Sequence, residues 1–181
     1  MASKFKRPVA SSRALAEFSK ETKLVLQYGG APCGVDANLL VLLHGIGDTS
    51  KPFFQLGEQL QRTLPQTAIL SVQAPIRVPL LEEDARMWWD SFDSLGEVNM
   101  RPDPRRALRD MQNLIAYLTE PDTKGGCGWS MQHIHAFGFA QGGTVLLESL
   151  AAMRAQTLGS VTSVCGPLLS LPTYTPPLPI P

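Results

Sequence analysis

Six residues, Gly138-Phe139-Ala140-Gln141-Gly142-Gly143, constrain this chain more than any other stretch. The apolar run ahead of them (Ile134, Ala136, Phe137, Phe139) is too short for a helix and is closed by glycine, so it reads as a buried strand. Behind them, Thr144 to Ala152 is apolar on almost every face and reads as a buried helix. The chain therefore passes from strand to helix through one tight turn centred on Ala140. Glycines flank the turn because its central residue is strained and its backbone is approached closely from both sides.

The rest of the chain repeats this alternation. Residues 23–28 alternate weakly and predict an edge strand. Asn38 to His44 is continuously apolar up to its final histidine, the pattern of a strand buried on both faces in a parallel sheet. It opens into Gly45-Ile46-Gly47-Asp48-Thr49-Ser50. A helix follows with Pro52 in its first turn and Phe53, Leu56, Leu60 and Leu64 at helical spacing, stopped by Pro65. Thr67 to Gln73 predicts the next buried strand, ending at Ala74-Pro75. Residues 76–101 form a long connection containing Trp88-Trp89-Asp90, too long for an idle turn.

Asp103-Pro104 predicts a helix start, with Leu108, Met111, Leu114, Ile115 and Leu118 on the buried face and Arg109 on the other. Val161 to Cys165 reads as one more buried strand, adjacent in the sheet to those at 38–44, 67–73 and 134–139. Strands and helices in this order predict an α/β fold, doubly wound on a mostly parallel sheet, in which ligands bind beyond the C-terminal ends of the strands. A short helix is expected near Ser12–Phe18. The expected organisation is a polar segment over 1–21, the α/β domain over 22–171 and a Pro-rich tail over 172–181. Five prolines in ten residues exclude the tail from a central strand.

Composition narrows the function classes. With 16 basic and 16 acidic residues the net charge is zero, which gives no electrostatic basis for binding nucleic acid or anionic membranes. Three widely spaced cysteines, Cys33, Cys127 and Cys165, fit neither a disulfide framework nor a zinc site. No apolar run approaches membrane-spanning length and no apolar segment follows the basic N-terminus, so neither a spanning helix nor a signal peptide is expected. A reducing, cytoplasmic setting is the expectation, with no metal site. His133 and His135 lack acidic partners and lie at the start of their strand, where a core or surface role is expected.

Four segments carry a resemblance. Leu42-Leu43-His44-Gly45-Ile46-Gly47-Asp48-Thr49 resembles the L-H-G-L-G-D loop of the acyl-protein thioesterase/carboxylesterase branch of the α/β-hydrolases. Gln73-Ala74-Pro75-Ile76-Arg77 resembles its H-A-P-x-R segment, and Trp88-Trp89-Asp90 its W-F-D. Gly138 to Gly143 is similar to its G-F-S-Q-G-G elbow, where serine is the nucleophile. The resemblance covers roughly residues 38–171 and implies cofactor-free hydrolysis of acyl esters or thioesters, with lipidated proteins among the substrates. By position, Ile46 and Gln141 would offer backbone N–H groups to an oxyanion. His44, Gly45 and Asp48 would shape that loop. Leu80 to Trp89 would line an acyl groove, unless Trp88 and Trp89 are simply core and rim aromatics.

The departures are as specific as the matches. Ala140 occupies the nucleophile position. After it the chain contains no histidine and no aspartate, and Glu148 is its one acidic residue. Cys165, expected as a packed core residue, is the remaining nucleophile candidate, with no base in view. Three readings follow: a catalytically degenerate family member; a truncated product missing the C-terminal strands; or a hydrolase with an unrecognised nucleophile, the alternative to an enzyme being a non-catalytic acyl-binding or protein-interaction module on the same fold. A sheet stopping after Val161–Cys165 would expose an edge and favour self-association.

Overall fold

The computed structural model describes residues 18–20, 22–153 and 157–169. The helix expected near Ser12–Phe18 and the Pro-rich tail fall almost wholly outside them. A five-stranded sheet runs in the order β1 (Val25–Gly29), β3 (Thr67–Gln73), β2 (Asn38–Leu43), β6 (Ile134–Phe139), β7 (Ser160–Val164). β1 is antiparallel to β3, and the other pairings are parallel. β4 (Ile76–Arg77) and β5 (Arg86–Met87) form a separate small ribbon inside the long connection. No described helix is long and apolar enough to cross a membrane.

Period-two alternation in the strands divides the core between two faces. Leu39, Val41 and Leu43 of β2, Ala68, Leu70 and Val72 of β3, and Ile134 and Ala136 of β6 join the main cluster, beneath α2 (Arg105–Thr119) and α3 (Gln141–Ala152). Leu42 and Ile69 point the other way, toward α1 (Ser50–Leu60), where a β-carbon on Gly57 would lie 2.8 Å from Leu42. That close approach explains why α1 presents glycine to the sheet.

α2 buries Ala107, Met111, Leu114, Ile115 and Leu118 and leaves Arg109 exposed, as its spacing predicts, with Leu108 only half-buried. Each fully buried large side chain contributes roughly 2 kcal/mol by area. The helix starts one residue later than expected. Pro104 takes the cap position expected of Asp103, whose carboxylate, one residue earlier, accepts the Arg105 N–H at 3.0 Å. The neighbouring Arg105 guanidinium holds the Asp103 carboxyl down at about 2.

Two sequence expectations fail, for a common reason. Leu60 and Leu64 are 37% and 45% exposed, so the helical line through Leu56 does not face the core. With Leu40, Phe137 and Thr162 these leucines line an open cavity of about 580 Å³. β7 is half-exposed rather than buried, because no described strand pairs with its outer edge and no described helix covers the side carrying Ser160, Thr162 and Val164. Apolar patterning marks these residues as buriable, whereas burial depends on a covering element.

Candidate functional site

The strand registers place four chain ends along one rim. Leu43 is level with Val72 on one side and Gly138 on the other, and Phe139 is level with Val164. The segments leaving β2, β3, β6 and β7 therefore start together: His44 to Thr49, Ala74-Pro75, Ala140 and Cys165.

Ala140 forms the turn between β6 and α3 at φ 46°, ψ −116°, a conformation that β-carbon-bearing residues rarely adopt. Its N–H donates to Val164 O at 2.7 Å, and its carbonyl accepts Thr144 N–H at 3.0 Å. Gly142, in the first turn of α3, passes so close to β2 that a β-carbon there would come within 2.5 Å of the His44 carbonyl oxygen. On the opposite side, a β-carbon on Gly45 would sit 3.3 Å from the Ala140 methyl. The glycine loop therefore flanks the elbow directly.

His44 fixes that loop. It is fully buried, its Nδ1–H donating to Gly45 O at 2.7 Å and its Nε2 accepting the Ala74 N–H at 3.0 Å. Both ring nitrogens are engaged by the neutral ring, and burial pushes its pKa below the ordinary 6.5 despite the bond to Gly45. Trp88 packs against the imidazole with ring centroids 5.6 Å apart and donates its indole N–H to His44 O at 2.9 Å. Beyond His44, Gly47 N–H donates to Arg86 O and Arg86 N–H to Asp48 O, so β5 pins the loop from outside. Asp48 turns its carboxylate onto the Thr49 N–H at 2.8 Å. Among the described residues, none of these loop bonds uses the Ile46 N–H, and Ile46 is exposed.

Trp88 and Trp89 are buried and belong to the main core. Leu80 and Leu81 remain exposed on the connection. The side chain of Gln141 carries no signal in the sequence, yet it ties the elbow to this connection. Its Oε1 accepts Trp88 N–H at 2.7 Å and its Nε2 donates to Ser91 Oγ at 2.8 Å.

Cys165 is exposed rather than packed, because it lies past the end of the uncovered strand, at φ 57°. Glu148 is buried and caps the Leu169 N–H at 2.6 Å. His135 bonds Ser160 Oγ through Nδ1 at 2.8 Å on the uncovered sheet face, away from the elbow. Among the described residues no group of three or more His, Cys, Asp or Glu side chains is placed to hold a metal ion.

Comparison with known proteins agrees with this geometry. A family model described as phospholipase/carboxylesterase matches residues 31–177. An uncharacterized hydrolase of Mycosarcoma maydis is 44% identical over 92% of this chain and 61% of its own length. A second, from Schizosaccharomyces pombe, is 31% identical over 76% of this chain and 57% of its own. The chain thus spans about three fifths of the length of these curated relatives. Among solved structures, the acyl-protein thioesterase 2 of Zea mays is 21% identical at a TM-score of 0.55, covering 80% of this chain and 62% of that one. The Bacillus cereus carboxylesterase is 17% identical at a TM-score of 0.55, covering 83% and 65%.

Proposed function

Because this chain belongs to the phospholipase/carboxylesterase family, with an α/β-hydrolase-like fold, we propose that it binds an acyl group at the elbow and does not hydrolyse it. The observation that carries this reading is Ala140 itself. The elbow keeps its strained backbone, which costs on the order of 1–3 kcal/mol, after losing the hydroxyl that the strain serves to present. The glycine loop beside it stays pinned by His44, Trp88 and Arg86. The N–H groups of Ile46 and Gln141 are the donors proposed for the ligand's anionic oxygens. Two such preorganised donors are worth a few kcal/mol toward an oxyanion, here used in binding. Ala140 lies inside the family match, so the missing hydroxyl does not depend on what else a longer polypeptide carries.

Titration of the chain with n-octylphosphonate, an acyl-like tail on an anionic head, tests the binding half of this reading. We expect saturable heat in calorimetry with Kd on the order of 10–100 µM. Gly45→Val should weaken it at least roughly tenfold, because its β-carbon and methyl groups fill the space over Ala140. No saturable binding, or equal binding by Gly45→Val, would remove the proposal.

The acyl ester or thioester character of the ligand, including a lipidated protein, rests on the family. A cytoplasmic setting is supported by three free cysteines, two of them exposed. The outer edge of β7, which no described strand pairs, is also proposed to pair with a second copy. Light scattering at tens of micromolar should give a mass above the 19.7 kDa of one chain. Thr162→Lys, which places a charge on the exposed strand, should lower it. A monomer for the unaltered chain contradicts the pairing.

A further inference from the structure

The connection between β5 and α2 is tied together chiefly by its own short-range bonds. Asn99 Nδ2 donates to Asp90 O and Asn99 N–H to Ser91 O, both at 2.9 Å, while Asp93 N–H donates to Glu97 O and Phe92 bridges Val98. The unit projects Leu95, Val98 and Met100, which are 78%, 65% and 86% exposed, and near its root only Phe92 packs on a core, the small cluster of Val78, Ala85 and Met87. A loop of this kind takes its position from its root. At that root, the carboxamide of Gln141 spans Trp89 and Asp90, accepting from Trp88 N–H on one side and donating to Ser91 Oγ on the other.

We propose that the Gln141 side chain is a latch, a positioning residue that holds the 90–99 loop beside the elbow and sets how fast a ligand leaves it. The proposal deepens the acyl-binding reading and rests on it for the ligand alone. Gln141 is the first residue of α3, so the backbone N–H assigned to the ligand and the amide gripping the loop belong to one residue. A ligand that orders this residue tightens the loop root, and a loop that opens must first release the same amide. Both polar ends of the carboxamide are satisfied and Gln141 is 8% exposed, so an apolar residue of similar length removes both bonds without an added cavity. Glutamate preserves them in altered form: one oxygen accepts Trp88 N–H and the other accepts the Ser91 O–H.

Amide hydrogen exchange on the ligand-free chain provides the first readout. Among the described residues the Trp88 amide is held by this side chain alone, so Gln141→Met should raise its exchange roughly tenfold, the worth of one buried bond. Amides of β2 and β6 should be unchanged, and Gln141→Glu should restore Trp88 protection. The second readout is n-octylphosphonate dissociation followed by tryptophan fluorescence, expected to be faster in Gln141→Met. Equal Trp88 protection in Gln141→Met overturns the latch, as does a uniform rise across all strands, which marks general destabilisation. Unchanged dissociation from Gln141→Met overturns its effect on the ligand. If the unaltered chain binds no octylphosphonate, the acyl-binding reading fails while a selective Trp88 effect still establishes the latch on the loop.

Discussion

Replacing His44 with leucine should destabilise the fold by about 2–4 kcal/mol, the range for orphaning buried hydrogen-bonding groups. It should also flatten the dependence of stability on pH. His44 has no exposed surface, and its two ring nitrogens connect the glycine loop to the end of β3 through Gly45 O and Ala74 N–H. Leucine supplies comparable bulk against Trp88 and Phe53 but leaves the Ala74 N–H without its acceptor. The pH effect has a definite sign. Burial holds the folded-state pKa of His44 below the ordinary 6.5, so near and below that value the unfolded chain binds a proton the folded chain refuses. Stability is complete above pH 6.5 and declines as pH falls through and below it. Nearby Asp48 and Asp84 favour the charged ring and Arg86 opposes it, all weaker than burial. Asp103, whose pKa is lowered to about 2, loses its contribution only in more acidic solution and so leaves the window between pH 5 and 7.5 clear. Urea midpoints across that window should rise with pH in the unaltered chain and rise less in His44→Leu. Equal slopes would show that His44 is not the titrating group.

Much of the fold was legible because its central strands are unambiguous in composition. β2 and β3 are near-continuous apolar runs, the pattern of a strand covered on both faces, and apart from the partly exposed Asn38, Leu40 and Gln73 both are buried. The buried face of α2 follows from five apolar residues at helical spacing with arginines opposite. β7 departs from the expected burial because Val161 and Val164 describe what a strand can bury, while exposure depends on elements that a local window does not contain. The same limit applies to Leu60 and Leu64. Gly57, which carries no hydrophobic signal, turned out to be the residue facing the sheet.

The site divides in the same way. Short-range motifs located the glycine loop, the tryptophan pair and the elbow, and register then brought them together. The latch was invisible because Gln141 reaches Trp88 and Ser91, residues 53 and 50 positions away. A glutamine amid glycines gives no sign of which backbone its amide will meet. Cys165 was expected in the core because apolar residues precede it. In the structure it lies beyond the sheet edge with an exposed thiol, one residue past the Val164 carbonyl that receives the Ala140 N–H.

That placement sets the most direct test of the central claim, that the elbow binds without turnover. Acyl transfer needs a nucleophile, a base to take its proton and a group to orient the base. Ala140 supplies no nucleophile, and no histidine or aspartate follows it in these 181 residues. Restoring the hydroxyl with Ala140→Ser leaves it unactivated, so the oxyanion donors alone would give acceleration on the order of 10³-fold over water at best. The measurement is hydrolysis of p-nitrophenyl octanoate and an octanoyl thioester by the unaltered chain, Ala140→Ser and Cys165→Ala. The account predicts no turnover above buffer for the unaltered chain and Cys165→Ala, no labelling of either by a fluorophosphonate, and at most weak activity in Ala140→Ser. Robust turnover by the unaltered chain that disappears in Cys165→Ala would contradict it and make Cys165 the nucleophile.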